Sequence, residues 1–403
     1  MMIYDIGIIG AGVAGSFASL KLAKEHKNVK AILFDLGRPP MKRRRQLEGW
    51  LGCLPNSDGK LYLSDLPKVS DLLGTRKTNA SFKWISNYLS NINTFKVIKD
   101  KSPSVSTEKK IKKLGYDMIL NDHMQMYPKD IHLLSKIMSE EIEKAKNVTF
   151  CFDTEITEVC KEKNIFVVKA GNEEYRCKKI ILSVGRSGWC WVSNVFGKFG
   201  IIENNDFAKF GIKVEMNSGN MKEFNKSSCS LYKKSDLEIG PLSWNGTIIP
   251  EDHVESAITT FRSNENRWKS DKVSFSIIGS RYYPNKGYEQ TDRMGKLTYV
   301  LTNDRILKER VSTIISKKSL ISKLKEYDWL VETLQEMSTI IPDLITKAYF
   351  HVPTIMPMAP KINIGTNMES EVPGMFVVGE TAGINGLLAA AVMGAAVGDT
   401  VCK

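Results

Sequence analysis

The chain has 403 residues, 42% of them hydrophobic and 25% charged, with a formal net charge of +12. That length buries two domains or one large discontinuous core, and the composition excludes a disordered chain. No run approaches the 18 apolar residues of a spanning helix, no basic segment precedes the first apolar stretch as in a signal peptide, and the seven cysteines are odd in number without CxxC spacing. A disulfide framework, a structural zinc site and a dithiol redox centre are therefore disfavoured, and a reducing cytoplasm is the expected setting. The charge suits an anionic partner, nucleic acid among them, or reflects a lysine-rich composition throughout.

The first predicted elements form one unit. Ile6, Ile8 and Ile9 make a short buried strand. Gly10, Gly12 and Gly15 then fit GxGxxG at the turn into a helix whose apolar face continues through Leu20, Leu22 and Ala23. Residues 29–34 make a second strand ending in Asp35, 20 residues after the third glycine. Each part has a physical task in holding a dinucleotide. Gly10 permits the tight turn, Gly12 lets a pyrophosphate approach the backbone, and Gly15 lets helix and strand pack closely. The helix N-terminus, around Ala14, offers unpaired N–H groups to phosphate. Asp35 is placed to accept from an adenosine ribose, with Leu36 beside it. The basic run 42–45 follows, and Arg43 either neutralises the pyrophosphate or faces solvent.

Further along, "SDGKL" at 57–61 closes a glycine-containing loop. The lysines of 96–113 read as a mobile surface loop. Residues 147–188 alternate as a meander that ends in "KIILSVG", with Ile156 in a strand and Gly185 and Arg186 in the closing turn. "WCW" at 189–191 reads as buried aromatics. The stretch 278–290, with Arg281, Tyr282 and Tyr283, is a pocket lining or an ordinary strand end. Residues 305–346 read as helical. The five histidines show no metal-ligand spacing, and His351 is a candidate base or substrate ligand. The last motif, "EVPGMFVVGETAGINGLLAAAVMGAAVGD" at 371–399, is a strand, a Gly379–Glu380 turn, and a small-residue helix opened by Gly386 and Leu387.

This last motif resembles the second FAD-binding motif of glutathione-reductase-type flavoproteins. The resemblance implies FAD, with Glu380 at the ribityl chain and the helix N-terminus at the flavin pyrimidine edge, where reduced flavin carries negative charge. It also places Ile156 and Gly185 near the adenosine. "SDGKL" at 57–61, "ILSVGRSG" at 181–188 and "FAKFGIKVEM" at 207–216 resemble, in order, segments of the bacterial NAD(FAD)-utilising dehydrogenases. That resemblance places Ser57, Asp58, Gly59 and Lys60 near the flavin. The chain departs from that pattern at 53–56, at Arg186 where the family has histidine, and at Asn385 where it has glycine. The halogenase pattern WxWxIP is broken at Val192, Ser193 and Asn194.

The expectation is an α/β fold: a three-layer Rossmann-like FAD-binding domain from 1–70, 120–205 and 350–403, a connecting insertion at 71–119, and an inserted α+β substrate domain at 206–349. The expected activity is hydride transfer between a small substrate and flavin N5, at a C–N or C–C bond. Lys60, Arg186, His351 and Tyr283 are the catalytic candidates, NADH or NADPH is a candidate reductant, and no metal or membrane is expected. The alternatives are an amine oxidase or lyase acting on a modified base in nucleic acid, a monooxygenase or halogenase-like flavoenzyme, and a flavin-binding sensor without turnover.

Overall fold

The run Ile3–Ile9 forms a strand whose second part, from Ile6 to Ile9, buries on both faces, the mark of a parallel sheet's interior. In the computed structural model it lies between two parallel neighbours, Ala31–Phe34 and the far half of Glu173–Leu182. Val148–Cys151 adds beyond Ala31–Phe34, and Met375–Val377 pairs with Ile180–Leu182, also in parallel. The near half of Glu173–Leu182 turns antiparallel to Ile165–Ala170, which pairs in turn with Glu158–Glu162. The structure describes residues 2–43, 47–92, 95–234, 236–253, 256–262, 270–358 and 361–403, without the side chains of 256, 261 and 262.

Two compact units result. The first takes 1–96, 124–204 and 358–403 of the chain. Its first helix, Val13–Glu25, is buried from Val13 to Ala23 with no exposed face. The last helix, Leu387–Thr400, lies against it and is equally buried. Small residues make that approach possible: a Cβ on Gly394 would fall 2.2 Å from the carbonyl oxygen of Ala14. Leu66–Leu73 and Thr75–Asn91 pack against the last helix as well. Cys177 is fully buried beside Gly7, and burial pushes its thiol up to about 12, so it is inert as a nucleophile.

The second unit takes 97–123 and 205–357. Its antiparallel sheet runs Leu307–Arg310, Tyr349–Ile355, Phe207–Asn217, Lys272–Tyr282, Leu237–Ile239, Ser230–Lys233 and Asp117–Ile119. The helix Gly287–Leu301 and the hairpin Thr247–His253/Ser256–Arg262 pack on it. The α/β class expected from the sequence is the class that forms.

Three sequence expectations are corrected. Residues 105–113 are a helix, not a loop: Ser104 Oγ accepts from Thr107 N–H at 3.3 Å, Glu108 sits in the first turn and three lysines in the last. Those charges complement the helix dipole, and Thr107 and Ile111 bury its inner face. Residues 305–346 are not wholly helical, because Leu307–Arg310 pairs with Tyr349–Val352 as an edge strand. Ile156 is buried but lies in no strand. Asp153 adopts φ 52°, and the N–H groups of Asp153 and Thr154 donate to the carbonyls of Gly37 and Asp35 instead of extending a ladder.

Gly394→Ala is expected to destabilise the protein by about 1–3 kcal/mol, because the new methyl meets backbone that cannot turn aside. Urea unfolding reads this as a lower midpoint at unchanged slope.

Candidate functional site

The glycine turn gathers four distant segments of the first unit. Gly10 has φ 103°, a region that costs other residues steric strain, and a Cβ there would fall 2.7 Å from the Ser183 carbonyl. Ser183 N–H donates to Ile9 O at 2.9 Å, and its hydroxyl lies 3.0 and 2.7 Å from the carbonyl oxygens of Ile9 and Gly10. A Cβ on Gly15 would fall 1.9 Å from Gly10 O. Gly12 is different. It is half-buried, its backbone is extended, and a Cβ there would meet only the Ser183 carbonyl, at 3.7 Å. The first helix opens at Gly12 with no side-chain cap and no acid in its first turn. Its N–H groups and the space above Gly12 therefore fit an anionic group approaching the backbone.

The second glycine motif stands at the same turn. A Cβ on Gly379 would lie 3.4 Å from the Ala14 methyl. Glu380 accepts from the Arg186 N–H at 3.0 Å, and Thr381 Oγ1 donates to the Val184 carbonyl. Gly185 is exposed and next to Glu380. Thus 10–15, 183–186 and 379–382 converge. At the start of the last helix, a Cβ on Gly386 would fall 2.1 Å from the Asp65 carboxylate. Sequence reading missed Asp65: no local pattern ties it to a helix more than 300 residues on. Leu387 lies half-buried in that helix's first turn.

Asp35 is less available than its spacing suggests. Its carboxylate accepts from Ala11 N–H at 2.6 Å and from the N–H groups of Gly37 and Gly49, each at 2.7 Å. A carboxylate has about four lone-pair positions, so about one remains for a ribose hydroxyl. Burial pushes this carboxyl up from its ordinary value, while the three N–H groups and Arg43 pull against it. Leu36 is 50% exposed beside it. Arg43 turns inward and donates to the Trp50 carbonyl; burial lowers its pKa and Asp35 opposes that shift. Arg44 and Arg45 lie outside the described residues. The loop that Arg43 enters closes onto the glycine turn: Leu51 N–H donates to Ala11 O at 2.8 Å, and a Cβ on Gly52 would lie 3.2 Å from Gly12 Cα. Gly52 is a second residue that the sequence reading missed.

Ser57–Lys60 forms a separate tight turn. Gly59 has φ 70°, and a Cβ on it would fall 1.9 Å from Met126 O. Ser57 Oγ accepts from Gly59 N–H at 3.0 Å, Met126 N–H donates to Gly59 O, and the Gln125 amide donates to Asp58 O. Lys60 is 9% exposed, its Nζ 3.8 Å from Asp58 Oδ2. The strand it begins, Lys60–Tyr62, touches the last helix. Lys60 and Arg186 thus belong to the first unit.

His351 and Tyr283 belong to the second. His351 is buried on Tyr349–Ile355, Nε2 3.8 Å from Glu215 Oε1. Glu215 also takes Lys272 at 2.9 Å and Lys308 at 2.7 Å. Burial alone would raise the Glu215 carboxyl, but His351, Lys308 and Lys272 together hold it well below the usual carboxylate range. Tyr283 is half-buried in the turn after Lys272–Tyr282, its N–H donating to Asp206 O at 2.6 Å. Among the described residues, no three His, Cys, Asp or Glu side chains converge as metal ligands.

No protein-family model matches the chain, and no curated protein matches it. Among solved structures it is similar to a dithionite-reduced L-α-glycerophosphate oxidase from Mycoplasma pneumoniae with FAD bound, at 13% identity and TM-score 0.49 over 100% of this chain and 96% of that one. A glycine oxidase from Geobacillus kaustophilus matches at 12% identity and TM-score 0.47, over 100% and 95%. The halogenase PltM matches at 10% and 0.46, over 98% and 68%. Likeness at this level decides neither substrate nor reaction, so the reading of function rests on the residues above.

Two glycine substitutions separate ligand space from packing space. Gly12→Ala should leave the unfolding free energy, read by urea titration, within about 0.5 kcal/mol of wild type and weaken binding of added FAD at least about tenfold. Gly15→Ala should cost about 1–3 kcal/mol of stability. Equal FAD binding by Gly12→Ala and wild type would count against the site. In the second unit, Glu215→Gln should cost about 2 kcal/mol at neutral pH, less than a fully buried pair because both ammonium groups reach water. A depressed carboxyl stabilises above its ordinary value, about 4, and loses that contribution as pH falls further. The gap between variant and wild type should therefore narrow below pH about 4, measured by urea titration.

Proposed function

We propose that the protein is an FAD-dependent oxidoreductase whose single dinucleotide site is the glycine turn of the first unit. The observation that carries this reading is the uncapped helix N-terminus at Gly12, where a Cβ would meet only the Ser183 carbonyl, at 3.7 Å, with Gly379 and Glu380 standing at the same turn. Gly10, Gly12, Ala14 and Gly15 would hold the pyrophosphate. Asp35, Leu36, Ile156 and Gly185 would border the adenosine, with Arg43 supplying positive charge behind the loop. Glu380, Gly386 and Leu387 would face the ribityl chain and the ring, and Ser57, Asp58, Gly59 and Lys60 would close the site from the other loop.

Bound FAD would supply a two-electron acceptor for hydride from a C–N or C–C bond of a small substrate. The chain's own contribution is placement and electrostatics. Lys60, held near Asp58 at low exposure, would keep a fixed positive charge at the site. Arg186, whose backbone is fixed by Glu380, would present its side chain from the adjoining turn. The second unit would serve as the substrate domain, with Tyr283 and His351 as its candidate contacts.

A visible spectrum of the purified protein tests the reading. Flavin absorbance, or its appearance on reconstitution with FAD, is expected; a colourless protein that cannot be reconstituted overturns it. Anaerobic NADH or NADPH then divides the reaction classes. Bleaching would identify nicotinamide as the reductant, and an unbleached flavin would leave the substrate as the electron donor.

A further inference from the structure

The parallel strands of the first unit run toward the glycine turn. At their other end, before Met375–Val377 and beside Lys178 and Lys179, lies an open concavity of about 480 Å³. Lys77, Lys161, Lys178, Lys179 and Lys403 line it, against one carboxylate, Glu369. That carboxylate is engaged locally: Oε1 accepts from Gly374 N–H at 2.6 Å and Oε2 from the Asn367 amide at 3.1 Å.

Three of the lysines are positioned by carbonyl groups, which do not neutralise them. Lys77 donates to Thr366 O at 3.2 Å, Lys161 to Pro373 O at 2.6 Å and Lys179 to Val401 O at 2.6 Å. A carbonyl fixes an ammonium group in place, leaves its full charge, and uses one of its three donors. Lys161 and Lys179 also lie over the rings of Phe166 and Phe376, which narrows their freedom further. Of these five lysines, Lys178 alone has an acidic partner among the described residues, Asp5 at 2.8 Å. Like charges gathered in one hollow raise its positive potential and attract an anion.

We propose that this concavity binds the phosphodiester backbone of a single nucleic acid strand, at a site separate from the dinucleotide turn. Lysine offers a point charge with rotatable donors, which suits successive phosphates; it lacks the planar fork that reads one carboxylate or base edge. The lysines come from segments around 77, 161–179 and 403, so several separate parts of the chain bring positive charge to one hollow. Of the basic residues most obvious in the sequence, Arg43 turns inward, and Lys110, Lys112 and Lys113 sit in the last turn of their own helix, where they complement its dipole.

The test is fluorescence anisotropy with a labelled oligothymidylate of about 20 nucleotides, titrated between about 50 and 200 mM salt. Binding should weaken steeply with salt. The triple variant Lys77→Gln/Lys161→Gln/Lys179→Gln should bind at least about tenfold more weakly at low salt, with the log–log salt slope reduced by about 2, near 0.7 per lost phosphate contact. Lys109→Gln/Lys110→Gln/Lys113→Gln should bind as wild type. Flavin content and urea midpoint of the same samples report folding and the dinucleotide site independently. If the triple variant does not fold, the exposed pair Lys77→Gln/Lys403→Gln carries the same expectation at smaller magnitude. Salt-indifferent binding, equal affinity of variant and wild type, or binding of inorganic tripolyphosphate with no oligonucleotide binding would each overturn the proposal.

Discussion

One half-buried carboxylate holds the candidate site together. Asp35 ends the second strand and accepts N–H groups from three places: Ala11 in the glycine turn, Gly37 just after the strand, and Gly49 in the following loop. Donors from a turn, a strand end and a long loop seldom converge without an acceptor of this strength, because each ordered segment loses conformational entropy. The acid that the spacing assigns to a ribose is therefore first a structural clasp. Any ligand at this position meets a carboxylate with about one acceptor position left.

Close backbone contact is the second constraint, and it follows from the first. With the turn clasped, the first helix must start directly above it, and Gly15 is the residue type that can pass Gly10 O. The last helix must then approach the first, which Gly394 and its alanine neighbours allow. That approach brings Gly379 to Ala14 and Glu380 to the Val184–Arg186 turn. Two motifs more than 360 residues apart in the chain thus become one site through a series of missing side chains. Gly12 stands apart from this series, since nothing in the protein needs its missing side chain. Packing therefore leaves its glycine unexplained, and the proposed function assigns it to the approach of a pyrophosphate.

The errors of the sequence reading share a cause. The lysines of 105–113 read as a solvated loop because charge dominates the segment, yet Ser104 and two buried side chains are enough to build a helix there. The strand expected at Ile156 fails because Asp153 takes a left-handed conformation that pairs the backbone with residues 35–37. Leu307–Arg310 is a strand because a neighbour, Tyr349–Val352, supplies its hydrogen bonds. In each case the local pattern was ambiguous and a distant partner decided it.

The parts of this protein that sequence alone determined are those with short-range physics: the strand–turn–helix of the first glycine motif and the small-residue helix of the last. Each depends on residues within one turn of one another, so spacing carries the information. Tertiary structure alone decided that Ser183 seats the Gly10 turn, that Gly52 lies over Gly12, and that Asp65 stands at the last helix. It also decided that five scattered lysines share one concavity. These pairings join residues tens to hundreds of positions apart, and no periodicity or spacing in the chain encodes which side chain a fold will place beside another.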